Sequence, residues 1–173
     1  MPAFIAGFWV RGFNSMPLDG LYNTINALSE FNIAKESIDI IRENSHLIIK
    51  RVREQMAAGI KGDESSITID GRPYYKDFTE FIKERHGVGI GAYTDRVTLY
   101  MTGDFHNSLR LIISGFNFFV TSNISYFNEI MRMVNDESVL DLTRENLYWF
   151  SEEILKPELQ KRFDEAIRRN NNR

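Results

Sequence analysis

The stretch YTDRVTLYMTGDFHNSLRLIISGFNFFVT, residues 93–121, decides the fold. β-Branched and aromatic residues crowd it, and Gly103 and Gly115 punctuate it. That is the composition of a small antiparallel sheet. Residues 97–101 read as a strand, and Thr102-Gly103-Asp104 as the turn that ends it. Residues 107–114 and 116–121 read as a hairpin around Ser114-Gly115. In that hairpin Leu109, Leu111 and Ile113 share one face, with Phe116, Phe118 and Val120 available to pair with them.

Upstream, residues 33–58 carry the strongest helical pattern in the chain. Ile38, Ile41, Ser45, Ile48, Val52 and Met56 recur every three or four positions, which makes one stripe along a helix. Glu36, Glu43, Lys50, Arg51, Arg53 and Glu54 fall mostly off that stripe. Gly59 is a natural stop. Such a helix is about 40 Å long. A shorter helix over residues 21–31 is expected before it, with Asp19 as N-cap and Leu21, Ile25 and Leu28 on one face. Residues 1–20 hold Gly7, Gly12, Gly20, Pro2 and Pro17, with Phe4, Phe8, Trp9 and Phe13 between them. They read as an aromatic-rich arm, folded on its own domain or laid on a neighbouring subunit.

Residues 61–77 are loop-like, with turn signals at Gly62-Asp63 and Asp70-Gly71. Residues 78–85 read as a helix with Phe78, Phe81 and Ile82 inward, and Gly87, Gly89 and Gly91 as a link. Downstream, residues 126–134 read as a short helix. Thr143 caps a helix beginning at Arg144, whose inner stripe is Leu147, Phe150 and Ile154. Pro157 stops or kinks it, or opens a last helix with Leu159, Phe163 and Ile167 inward. The fold class is therefore α+β: a long N-terminal helix packed on a small antiparallel β-sheet, with C-terminal helices. The organisation is an arm over residues 1–20 and one domain over residues 21–173.

Composition narrows the function classes. The 173 residues include 13 Phe, 7 Tyr and 2 Trp, enough for a real core, and no Cys. Disulfides, thiolate catalysis and cysteine-bound zinc are excluded. A net charge of −3 argues against broad nucleic-acid binding. The apolar run at residues 4–10 is too short to span a bilayer and lacks the basic start of a signal peptide. An intracellular location, or one inside a particle assembled there, is the expectation.

Chemical motifs are weak. Gly87-Val88-Gly89-Ile90-Gly91 resembles a phosphate-cradling loop, but a helix precedes it and a strand follows, the reverse of the arrangement such loops need. Asp104, His106 and Ser108 are triad residue types, yet alternation along a strand spreads them in a row. His46, His86 and His106 have no partner at metal-site spacing, and Asp95, Asp104 and Glu129 belong to no calcium loop. No catalytic residue, cofactor or metal ligand is assigned on this basis.

The segment Thr102-Gly103-Asp104-Phe105-His106-Asn107-Ser108 resembles the TG-x-hydrophobic-x-x-S motif of phage tail-completion and neck proteins. In that family the motif follows a long N-terminal helix and opens a β-hairpin. The segments at residues 55–60 and 93–99, with Tyr74 and Tyr75 between them, are similar to those of virion proteins from short-tailed, crAss-like phages. The resemblance spans residues 33–122. One departure is Asp104, where the family often has leucine. The resemblance implies a non-enzymatic virion protein assembled in the host cytoplasm. It implies a homo-oligomeric ring of twelve-fold or six-fold symmetry in the neck, joining the portal to other neck and tail proteins. Genomic DNA would pass through the lumen without sequence-specific binding, and no membrane is involved. Thr102 and Gly103 would set the structural turn. The aromatic arm is a second departure, without a counterpart in that family; Phe4, Phe8, Trp9 and Phe13 are the candidate interface on their own composition, with the polar face of the 33–58 helix and the 59–92 loop region. The competing expectations are a small hydrolase or nuclease using Asp104, His106 and Glu129, and a monomeric module whose aromatic arm binds a host protein.

Overall fold

Asn44 divides the residue 33–58 helix into two segments in the computed structural model. The structure describes residues 29–86 and 93–171, with Tyr22, Ile25 and Asn26 before them. The arm with Phe4, Phe8, Trp9 and Phe13, most of the 21–31 segment and the Gly87–Gly91 link lie outside the described residues. Helix α1 spans Ile33–Glu43 and α2 spans Ser45–Ala57. The Asn44 side-chain amide donates to the Ile40 carbonyl at 2.9 Å, where the backbone N–H of Asn44 also bonds. A short amide competing for helix carbonyls is the local cause of the break. Asn32 caps α1, its side chain accepting from the Lys35 N–H at 3.0 Å.

Helix α2 is the spine of the core. Ile48, Val52 and Met56 are fully buried, each contributing roughly 1.5–3 kcal/mol of apolar burial. The helix ends at Gly59 with φ +75°. Gly59 N–H returns to the Met56 carbonyl and Ile60 N–H to the Gln55 carbonyl, the paired bonds of a Schellman cap.

The only strands named among the described residues are β1, Leu109–Ser114, and β2, Asn117–Ser122, paired antiparallel. Leu111 faces Val120 and Ile113 faces Phe118, so the expected inner face is present, except that Phe116 lies in the turn. Gly115, at φ +60°, takes the first of the two turn positions, as a type II′ hairpin requires. The inner face packs toward α2. The fold is thus α+β, with far more helix than sheet.

Further helices are α3, Asp77–His86; α4, Asp104–Ser108; α5, Phe127–Val134; and α6, Arg144–Phe150, with a short 3-10 helix, Glu137–Leu140, before α6. A widened π turn, Ser151–Leu155, leads into α7, Lys156–Asn171. Pro157 sits in the first turn of α7, and the widening accommodates its missing N–H. Arg162 of α7 forks to Glu36 at 2.9 Å and Glu43 at 2.5 Å, tying α7 to α1 beside the edge-on Phe31–Phe163 pair. Phe81, expected inward, is half exposed; Ile82 and Lys83 are the covered side chains of that turn.

Gln55 ties α2 to the residues that open α6. Its Oε1 accepts from the Thr143 N–H at 3.0 Å and from the Asn146 side chain at 2.6 Å. Its Nε2 donates to the Asp141 carbonyl at 2.9 Å. Thr143 caps α6, its side chain accepting from the Asn146 N–H. Replacing Gln55 by Leu takes the partner from the buried Thr143 N–H and from the part-buried Asn146 amide and Asp141 carbonyl, and a buried group so stranded can cost about 1–3 kcal/mol. A Gln55→Leu chain should lose at least about 2 kcal/mol in urea unfolding with an unchanged m value. A loss under about 0.5 kcal/mol would show that the contact is dispensable.

Candidate functional site

Residues 97–101 do not form the expected strand. The Tyr75 hydroxyl oxygen accepts from both the Thr98 and Leu99 N–H groups at 3.0 Å. Successive N–H groups of a strand point to opposite sides, so one acceptor cannot take both. The chain turns instead, with Leu99 at φ +51°. A bulky residue in that region is strained by about 1–3 kcal/mol, and the two bonds to Tyr75 hold it there.

The next residues follow from that turn. Gly103 sits at φ +92° and opens α4. A Cβ at Gly103 would lie 2.8 Å from the Tyr100 hydroxyl and 3.0 Å from its ring. The Tyr100 ring is itself held edge-on against His106, 5.0 Å between centroids. The Thr102 hydroxyl donates to the Asp104 carboxylate at 2.6 Å.

Asp104, His106 and Ser108 lie on α4 rather than along a strand. Asp104 is exposed and His106 is buried. Ser108 Oγ donates to the Phe105 carbonyl and lies 2.5 Å from Ser122 Oγ, not against a histidine. Glu129 is exposed in the first turn of α5. No group of three or more His, Asp or Glu among the described residues is arranged to hold a metal ion.

His106 acts as a tie. Its Nε2 lies 2.8 Å from the Thr98 carbonyl. A carbonyl can only accept, so Nε2 carries the proton. Its own carbonyl accepts from Arg53 Nε of α2 at 2.6 Å. Burial pulls the imidazole below its usual range; the Thr98 bond opposes this, and the charges of Arg53 and Lys83 reinforce it.

Tyr75, Lys83, Tyr100, Thr102, Gly103 and Asp104 all border one cavity of about 520 Å³. Sequence reading singled out Thr102, Gly103 and Asp104 but missed Lys83, which is 2% exposed. The available signal was spacing: Thr79, Ile82 and Lys83 fall on one helical face, whereas hydrophobicity drew attention to Phe81.

A second feature lies on the hairpin. Ile112 and Phe119 are directly paired on its outer face, 44% and 55% exposed, and Phe116 at the turn is 80% exposed. Both strands also leave an edge unpaired among the described residues.

Comparison of the chain with protein-family models, curated proteins and solved structures finds no match. No helix among the described residues is long and apolar enough to cross a membrane.

Two outcomes follow for this segment. Gly103→Val forces a β-branched residue into a left-handed position against Tyr100, and should destabilise the fold by about 2 kcal/mol or more in urea unfolding. Wild-type stability would refute the strained turn. His106, with its folded pKa depressed, contributes stability that is fully present above the unfolded value of 6.5 and is lost as pH falls through the folded value. As pH falls below 6.5 the wild-type melting temperature should fall, while His106→Gln, which keeps a donor for Thr98 without titrating there, stays flatter. Parallel profiles would remove His106 as the cause.

Proposed function

We propose that this chain is a structural subunit that acts by assembly, and that its place is the neck of a phage particle. There it forms part of a homo-oligomeric ring between the portal and the tail through which genomic DNA passes. The observation that carries assembly is the outer face of the hairpin. Ile112 and Phe119 form an exposed cross-strand apolar pair beside Phe116, and apolar side chains grouped on an exposed strand pair mark a contact surface. A cyclic, head-to-tail contact needs two different surfaces on each subunit. Leu147, expected on the inner stripe of α6 but 46% exposed, and Tyr148, 69% exposed, offer a second.

The placement in a phage neck rests on the resemblance of residues 33–122 to tail-completion proteins. The net charge of −3 suits a subunit past which DNA slides without sticking. This reading assigns the chain no catalytic residue, cofactor or metal. The hydrolase or nuclease alternative gains no support from Asp104, His106 and Glu129, since the buried His106 is spent on Thr98 and neither carboxylate is its partner.

The test is quantitative mass spectrometry of purified particles, with a double variant beside the wild type. Wild-type chain should be present at a constant low copy number matched to the portal. Phe116→Asp with Phe119→Asp should keep its melting temperature within a few degrees, since both sites are exposed, yet be lost from particles. Incorporation of the variant at the wild-type copy number would discard the hairpin as the contact. Absence of the wild-type chain from particles would discard the neck.

A further inference from the structure

The cavity beside α3 has walls of mixed origin. The 69–76 loop, α3, the 99–105 turn and α5 each contribute. Most of the surface is apolar, from side chains such as Leu99, Phe105, Ile130 and Met133 beside the rings of Tyr75 and Tyr100. Its volume, about 520 Å³, is within the range of pockets that enclose small organic molecules.

One cation is set into this wall. Lys83 is 2% exposed. Its Nζ donates to the Tyr100 carbonyl at 2.6 Å and lies 4.5 Å from the centre of the Tyr75 ring. No carboxylate among the described residues makes an ion pair with it, although many other lysines and arginines here have one. An ammonium has three N–H donors and is costly to bury without a counter-charge. The carbonyl takes one donor and the ring face can take a second. The remaining charges at the cavity are already engaged: Lys76 with Asp70 at 2.7 Å, and Asp104 with the Thr102 hydroxyl at 2.6 Å. Burial lowers the Lys83 pKa from the ordinary lysine value, and an anion brought against it would reverse that shift.

We propose that this cavity binds a small monocarboxylic acid with an aromatic or branched apolar body, its carboxylate against Lys83 and its body along Tyr75, Tyr100 and Phe105. The charge count selects the headgroup. A single buried ammonium matches a single negative charge, and no arginine among the described residues borders the cavity to receive a phosphate. Asp70 and Asp104 also border the cavity, and they disfavour a doubly charged ligand. The lining selects the body, since apolar and aromatic surface rewards an apolar ligand. The site is separate from the exposed hairpin face, so it stands or falls independently of assembly.

The test uses the full chain and a matched pair of probes, 3-phenylpropionate and 3-phenylpropanol, followed by calorimetry or ligand-observed NMR. The acid should bind about tenfold or more tightly than the alcohol. Lys83→Met, which keeps the length and apolar stem of the side chain, should erase that preference while still admitting the body. A second readout in the wild-type chain does not depend on the variant folding. The acid should slow reductive methylation of Lys83, read by peptide mass spectrometry, while the alcohol leaves it unchanged. Equal affinity for acid and alcohol, an unchanged preference in a folded Lys83→Met chain, or no protection of Lys83 at millimolar acid would each overturn the proposal.

Discussion

Buried backbone groups need partners, and a two-stranded sheet supplies few. Here three side chains take the place of missing strands. Gln55 satisfies the Asp141 carbonyl and the Thr143 N–H. Tyr75 satisfies two consecutive N–H groups at Thr98 and Leu99. His106 satisfies the Thr98 carbonyl while its own carbonyl takes Arg53. Thr98 is thus held from both sides, its N–H by one aromatic side chain and its C=O by another. The irregular 97–103 segment thus finds side-chain partners where a strand would find a neighbour, at the expense of a strained Leu99 and a left-handed Gly103.

That arrangement separates a pinned interior from the exposed apolar face of the hairpin. Helix α2 presents Ile48, Val52 and Met56 to the core and Arg53 and Gln55 to the segments around it. Neighbouring residues of one helix therefore serve both packing and polar ties. The hairpin packs against α2 and follows directly from α4. Only its inner face is used by the core, and its outer face keeps Ile112 and Phe119 in water.

What could be read in the sequence divides along the same line. The hairpin was legible because its pairing is local and its turn glycine is four residues from the strand centres. The Gly59 stop, the Thr143 cap and the buried stripe of Ile48, Val52 and Met56 were legible for the same reason: each depends on residues within a turn or two. The 97–101 strand was misread because its competitor, the Tyr75 hydroxyl, lies more than twenty positions upstream in a segment that reads as loop. Helix α4 escaped because five residues are too few to show a period. Of the cavity, Thr102, Gly103 and Asp104 were visible as a turn. Lys83 was not, because a lysine on a helix ordinarily faces water, and only the surrounding fold determines otherwise.

The Gln55 bonds also impose an order of events on a chain made from its N-terminus. Gln55 and Thr143 are 88 positions apart. While a ribosome is still adding the hairpin, the side chain of Gln55 has only water to bond, and the cap of α6 does not yet exist. The hairpin, closed by a two-residue turn, can form on its own at microsecond timescales. The Gln55 bonds can form only after residue 146 has emerged, and those of Arg162 to Glu36 and Glu43 later still, so the ties between the early and late helices are necessarily among the last to form.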